Sequence, residues 1–291
     1  MGIPLVVGVD GSEAGLRAVD WAVDEAVRHG VPLHVVHVAA AGDVPGRRIG
    51  RADAAEWGAR ERADSVIARA VARARDRAPA LRPSSEVLHG DAAAELTAKG
   101  RNAFAVILGS RGTGGLTEML LGSVSLAVAA RADCPVVVVR GGAERWDSRF
   151  GNVVVGIEDG ESSGTAVRFA LREAHARDCG LTAVHAWHGV TGVRAEPPAP
   201  SGWGAEAHRR PPTQVLDEAL SGPRQQYPRV MVSRRAVEGP ARQALLEASS
   251  AADLLVVGAH RRRGHFGLQL GLVSHALLHH APCPVAVVPQ I

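Results

Sequence analysis

The residues best placed to do chemistry lie in one glycine-rich stretch. Leu108–Val139 reads LGSRGTGGLTEMLLGSVSLAVAARADCPVVVV, and within it the order is Gly109-x2-Gly112-x9-Gly122-Ser123. Glycines at 109, 112, 114, 115 and 122 let the backbone approach a ligand closely, adopt positive φ and aim main-chain N–H groups at anionic oxygens. Ser123 opens a helix-like segment, where a hydroxyl and the positive end of the helix dipole both favour an anion. The layout suits a polyphosphate. It is not a Walker-type loop: Lys99 is the sole lysine and no G-x-x-x-x-G-K-[ST] sequence exists.

The same frame occurs a second time in altered form. Val257–Val288 reads VGAHRRRGHFGLQLGLVSHALLHHAPCPVAVV, offset by 149 residues, and LVVGVDGSEAGLRAVDWAVDEA from Leu5 returns as VVVGIEDGESSGTAVRFALREA from Val153, offset by 148. A period this long is a duplicated domain, since solenoid units run to about 20–50 residues. Each half then has the commonest single-domain size. The boundary falls in Gly141–Gly151, a polar, glycine-bearing stretch between two apolar runs, giving domains 1–142 and 150–291. The second copy has Glu158 for Asp10, Ala259 for Ser110, Arg261 for Gly112 and Leu272 for Ser123. These changes lengthen one acid, put a side chain into the loop and remove a hydroxyl donor. One working site and one eroded twin is the reading they favour.

Composition narrows the functional classes. With 46% hydrophobic and 22% charged residues the chain can build a core without disorder. No apolar run approaches the roughly 18 residues of a membrane helix, and the start lacks a signal-peptide pattern, so a cytoplasmic protein without a membrane partner is expected. The sequence pI is about 9.1, but formal charge is only +3, basic and acidic residues alternate, and aromatics are 3%, so a nucleic-acid surface is not expected. Of three cysteines, Cys134 and Cys283 occupy equivalent positions before Pro at the mouth of a buried strand, which reads as packing.

Each half carries the same order of elements. Continuous apolar runs at Leu5–Asp10, Leu33–Val38, around Val87 and Leu88, Ala105–Gly109 and Val136–Arg140 read as buried parallel strands, with helices between them, one from about Trp57 to Arg77. The second half repeats this near Val153–Glu158, Thr182–Ala186, Val230–Val237, Leu254–Gly258 and Val285–Val288. Strands alternating with helices predict an α/β fold, two tandem doubly wound domains with helices on both faces of each parallel sheet. Ligands of such sheets sit beyond the carboxyl ends of the strands, which selects Asp10, Val38 and Gly109 if strands one and four are neighbours. Asp10 would then face ribose hydroxyls, and the backbone near Val38 an adenine edge.

With these motifs, VGVDGS at Gly8–Ser12 and His37-Val38, the chain resembles the universal stress protein family in its tandem form, over nearly all its length. The resemblance implies a five-stranded parallel sheet of order 3-2-1-4-5 in each half and ATP contacts from Asp10, Val38, Gly109, Gly112, Gly122, Ser123 and Val124. It further implies Mg2+ or Mn2+ with the nucleotide, and a nucleotide-dependent switch in stress response or growth arrest. In that order the last strand of each half is a sheet edge, so the halves are expected to cover each other as an intrachain pseudo-dimer, with a homodimer of chains left open. For the second half, Glu158, Gly258, Arg261 and Gly271 are the corresponding residues, and retention of the fold for pairing is the alternative.

Other features read as structural. His260, His265, His275, His279 and His280 match no standard ligand spacing, and His279 and His280 suit a helix C-terminus, so no protein metal site is assigned. Ser162 and Ser163 read as helix caps, and Gly189–Thr213, rich in Pro, Gly and Arg, as a loop open to an unknown protein partner. No motif residue is an obvious base for activating water, so no catalytic residue is assigned. A slow ATPase or self-phosphorylating enzyme, with Ser123 or Ser125 as acceptor, and a nucleotide-free interaction module stand as alternatives to the switch.

Overall fold

The computed structural model of the chain describes residues 2–40, 53–112, 121–141, 150–159, 163–187, 211–260 and 270–290. Gly114, Gly115, Arg261, Ser162, most of the boundary segment and most of the 189–213 loop lie outside them. The first half runs β1 (Leu5–Val9), α1 (Glu13–His29), β2 (Leu33–Ala39), α2 (Asp53–Arg77), β3 (Ser84–His89), α3 (Ala92–Gly100), β4 (Ala105–Gly109), α4 (Ser123–Arg131) and β5 (Val136–Val139). The second runs β6 (Asn152–Ile157), α5 (Gly164–Ala176), β7 (Gly180–Trp187), α6 (Pro212–Ser221), a 3-10 turn (Pro223–Gln226), β8 (Val232–Glu238), α7 (Ala241–Ser249), β9 (Leu254–His260), α8 (Leu272–His280) and β10 (Val285–Gln290).

The order β3-β2-β1-β4-β5-β10-β9-β6-β7-β8 makes one ten-stranded sheet. Both halves have the expected 3-2-1-4-5 order. They meet by direct pairing of β5 with β10, antiparallel, with Val138 opposite Val285, Val137 opposite Ala286 and Val136 opposite Val287. This hides the two strands that would otherwise be apolar edges. The true outer edges are β3 and β8, which carry Glu86, Arg234 and Arg235 and are largely exposed. Charged outer strands discourage further strand addition. Their polarity also explains why the sequence marks only Val87 and Leu88 of β3.

Alternate strand residues feed two cores. Val7, Val35, Ile107 and Val137 pack with Leu16, Val19 and Ala22 of α1 and Ala70 and Ala74 of α2 on one face. Val6, Val36, Val106 and Val138 pack with Leu96 of α3 and Val128 of α4 on the other. α1 is begun by Ser12, whose Oγ accepts from the N–H of Gly15 at 3.0 Å, and ended by Gly30 at φ 62°. Its outer acids grip α2: Arg69 reaches Glu13, Arg73 donates twice to Asp20 and Arg77 twice to Asp24, at 2.6–2.7 Å. The α2 helix begins at Asp53, earlier than the Trp57 expected from periodicity.

Where α1 meets α5, a charged cluster is buried. Arg177 reaches Glu25 at 2.6 Å and Glu173 at 2.5 Å, and Nε2 of His29 lies 3.2 Å from Glu173 and 3.4 Å from Glu25. Burial alone would lower the His29 pKa; the contacts with Glu173 and Glu25 outweigh it and raise it to about 9. Burial likewise opposes ionisation of Glu173, and Arg177 with His29 overrides it, holding the carboxyl below its ordinary range. Glu25, His29 and Glu173 are the three ligand-like groups that lie together here, and a cation, Arg177, already stands between the two carboxylates.

The helix end assigned to His279 and His280 is held differently. Arg140, at the end of β5, donates to the carbonyls of Leu278, of His279 at 2.5 Å and of Ala281 at 3.2 Å, closing the last turn of α8. Burial and the neighbouring His275, Arg140 and His280 push the His279 pKa down, so this imidazole is a poor complement to the dipole. Cys134 and Cys283 are buried, as packing requires, and burial pushes the Cys134 thiol up to about 11. Among the described residues no helix is long and apolar enough to cross a membrane.

Candidate functional site

A cavity of about 880 Å3 opens at the carboxyl ends of β1, β2 and β4. That is ample for a nucleotide-sized ligand. All seven first-half residues named from the sequence line it: Asp10, Val38, Gly109, Gly112, Gly122, Ser123 and Val124. They meet because β1 lies between β2 and β4, with Gly8 opposite both Val36 and Leu108. Val36, Val38, Leu96 and Leu108 give one end an apolar wall, and the glycines with Ser123 form the other.

The polar end is built by short, specific contacts. Oδ1 of Asp10 accepts from the N–H and the hydroxyl of Ser12, at 3.0 and 2.6 Å, fixing the carboxylate against the start of α1. Its Oδ2 points across the cavity toward Gly112, where a Cβ would stand 2.7 Å away. Gly109 lies so close to α1 that a Cβ would come within 2.6 Å of the Ala14 carbonyl carbon and oxygen. Gly122 N–H donates to the Ser110 carbonyl at 2.9 Å, drawing the two ends of the glycine loop together. Gly122 caps α4 without a side-chain bond, so main-chain donors of its first turn stay available beside the exposed Ser123.

Ser125, named with Ser123 as an alternative phosphate acceptor, is held in the fold. It lines the cavity but is largely buried, and its hydroxyl donates to the Gly109 carbonyl at 2.7 Å, which ties α4 to the end of β4 and engages the hydroxyl in the fold. Arg17 and Arg111 also line the cavity and were not singled out by sequence. The glycine spacing advertises itself, whereas two arginines in an arginine-rich chain carry no local signal.

The second half differs at several corresponding positions. Glu158 is exposed after β6, Gly271 has open space where a Cβ would be, and Leu272 is 91% exposed at the start of α8. Arg261 lies outside the described residues. Gly258 is not packed on a helix backbone as Gly109 is: a Cβ there would stand 2.3 Å from Nε2 of Gln290. The Gln290 side chain thus occupies the space over the end of β9, with both amide atoms buried and without a partner. α5 starts at Gly164, and Ser163, at its cap position, makes no side-chain capping bond, contrary to the capping reading.

A ten-stranded sheet made of two 3-2-1-4-5 halves, with a glycine-lined crevice in the first, defines a tandem α/β protein of the doubly wound class. The description of the universal stress protein family matches residues 4–140 and again 149–289. A universal stress protein of Mycobacterium tuberculosis is 37% identical over 302 residues, covering 98% of this chain and 97% of that protein. One of Mycolicibacterium smegmatis is 34% identical over 292 residues, covering 98% and 96%. The crystal structure of a universal stress protein from Archaeoglobus fulgidus superposes with a TM-score of 0.73 at 18% identity, covering all of both chains, a likeness of fold. This chain belongs to the universal stress protein family, in a tandem two-domain form.

Proposed function

We infer that the first half binds an adenine nucleotide, ATP with Mg2+ or Mn2+, and that the chain acts as a nucleotide-dependent regulatory protein in stress response or growth arrest. The observation that carries the reading is the convergence of Asp10, Val38, Gly109, Gly112, Gly122, Ser123 and Val124 on one cavity. The apolar end suits the base, Asp10 Oδ2 a ribose hydroxyl, and the glycine loop with the α4 N-terminus the phosphates. A divalent ion would sit on the phosphates near Ser123 and offset their charge. The cavity carboxylates are engaged, Asp10 by Ser12 and Glu13 by Arg69, so neither is poised as a base for activating water. That favours binding over rapid hydrolysis. For the second half, the Gln290 side chain over Gly258 and the exposed Leu272 favour a pairing role over nucleotide binding.

Denaturing freshly purified protein and quantifying released adenine nucleotide by chromatography tests the reading. A single equivalent of ATP per chain is the expected result. Two equivalents would overturn the assignment of the second half, ADP would favour slow hydrolysis, and no nucleotide, with none taken up on addition, would leave an interaction module. The switch is tested separately: hydrogen exchange of the segment around Leu121 should slow when ATP is added, and unchanged exchange counts against it.

A further inference from the structure

We propose that Arg17 and Arg111 form a phosphate-counting pair in the first-half cavity, so that it selects adenine nucleotides with a polyphosphate chain over monophosphates; this rests on the adenine-nucleotide reading above. Both side chains line the cavity that holds Asp10, Gly109 and Gly112. On α1, the natural partners of Arg17 are the acids one turn away, Glu13 at i−4 and Asp20 at i+3. Both are taken by α2: Arg69 holds Glu13 at 2.7 Å and Arg73 holds Asp20 with two bonds. Arg17 is left half-buried at the cavity wall with no ion-pair or hydrogen-bond partner among the described residues. Arg111 stands in the glycine loop between Gly109 and Gly112; its carbonyl accepts from Ser12 at 3.4 Å while its guanidinium likewise has no partner there.

Two uncommitted guanidinium groups beside an array of main-chain donors make a strong anion trap, because a planar fork can hold two phosphate oxygens at once. The second half supplies an internal comparison. By the repeat offsets, the residues at the places of Arg17 and Arg111 are Thr165 and His260. The half whose glycine pattern is broken therefore has no arginine at either of these places, its loop arginines following one position later as Arg261, Arg262 and Arg263, while Arg168 donates to Thr165 at 3.4 Å. The glycine pattern and the placement of its two arginines thus change together between the halves, as a phosphate-binding task kept in the first half would leave them.

Calorimetric titration of nucleotide-stripped full-length protein, at constant Mg2+, with ATP, ADP, AMP and inorganic tripolyphosphate tests the pair. Wild-type protein should bind ATP more tightly than AMP, and Arg17→Ala and Arg111→Ala should each shrink the ATP-to-AMP affinity ratio about tenfold, the scale of a lost charge-assisted hydrogen bond. Arg17→Lys, which keeps charge but not the fork, should fall between. Thermal melting of each variant reports on folding, and the ratio does not depend on the fraction of folded protein. Wild-type protein that binds AMP as tightly as ATP, variants with an unchanged ratio, or equal losses for all four ligands would overturn the proposal while leaving the adenine-nucleotide reading intact. Binding of tripolyphosphate but of no adenine nucleotide would overturn that reading and keep the pair; binding of none of the four would overturn both.

Discussion

Gly109 and Gly112 stand one loop apart, and a methyl group added to each meets a different kind of obstacle. At Gly109 the new Cβ would lie 2.6 Å from main-chain atoms of Ala14 and 2.9 Å from the Gly15 nitrogen, so the first turn of α1 must move. Overpacking of this sort costs about 1–3 kcal/mol, and Gly109→Ala should lower Tm by several degrees in a thermal scan. At Gly112 the obstacle is Oδ2 of Asp10, at 2.7 Å, the far end of a side chain that can swing away. Gly112→Ala should therefore leave stability within about 0.5 kcal/mol of wild type. The displaced carboxylate and the filled loop should weaken ATP binding about tenfold or more, since the ribose partner and the backbone approach are both disturbed. If Gly112→Ala instead unfolds the protein while sparing nucleotide binding, the loop serves folding and the interaction-module reading gains.

At the scale of elements, the join between halves rests on a short antiparallel pairing and on Arg140. The guanidinium satisfies carbonyls of Leu278, His279 and Ala281 that the end of a helix leaves without partners. Arg140→Ala should cost about 1.5–3 kcal/mol, the range for charged hydrogen bonds, and speed hydrogen exchange in α8 ahead of the rest of the second half. Most strands were legible in the sequence because parallel strands buried on both faces read as unbroken apolar runs: Leu5–Val9 and Val136–Val139 are buried at every residue. β3 and β8 were half hidden because edge strands need no apolar alternation. The glycines of the site were legible through spacing alone. Gln290 was not, since its position over Gly258 depends on how β10 runs on past Val288. Nor was the role of Arg140, which depends on the antiparallel β5–β10 join that carries it to the end of α8. The repeat did hold an unread signal: at an offset of 148, Glu25 falls on Glu173 and His29 on Arg177.

Those four residues bear on the whole molecule, because they link α1 of the first half to α5 of the second through buried charge. Glu25, Glu173 and Arg177 are almost fully buried, and Arg28 also reaches Glu25. Removing Arg177 leaves two buried carboxylates that share His29, with Arg28 on Glu25 alone, so Arg177→Met should destabilise the chain by about 3–5 kcal/mol in urea titration. His29 adds a pH dependence whose sign follows from its raised pKa. With an ordinary value of 6.5 and about 9 in the fold, protonated His29 favours the folded state. That contribution is complete below about pH 6.5, shrinks as pH rises from there and is gone above about pH 9. At about 1.4 kcal/mol per pKa unit it is on the order of 3 kcal/mol. Urea unfolding from pH 6 to pH 10 should show this loss in wild-type protein. His29→Gln should be less stable at pH 6 and nearly flat across the same range. Equal slopes for the two would mean that another group titrates at the join, and that His29 is neutral there throughout. The first-half cavity lies beyond the ends of the strands, away from the cluster. ATP affinity at pH 6 should thus be alike in wild type and His29→Gln, separating the molecule's cohesion from its ligand site.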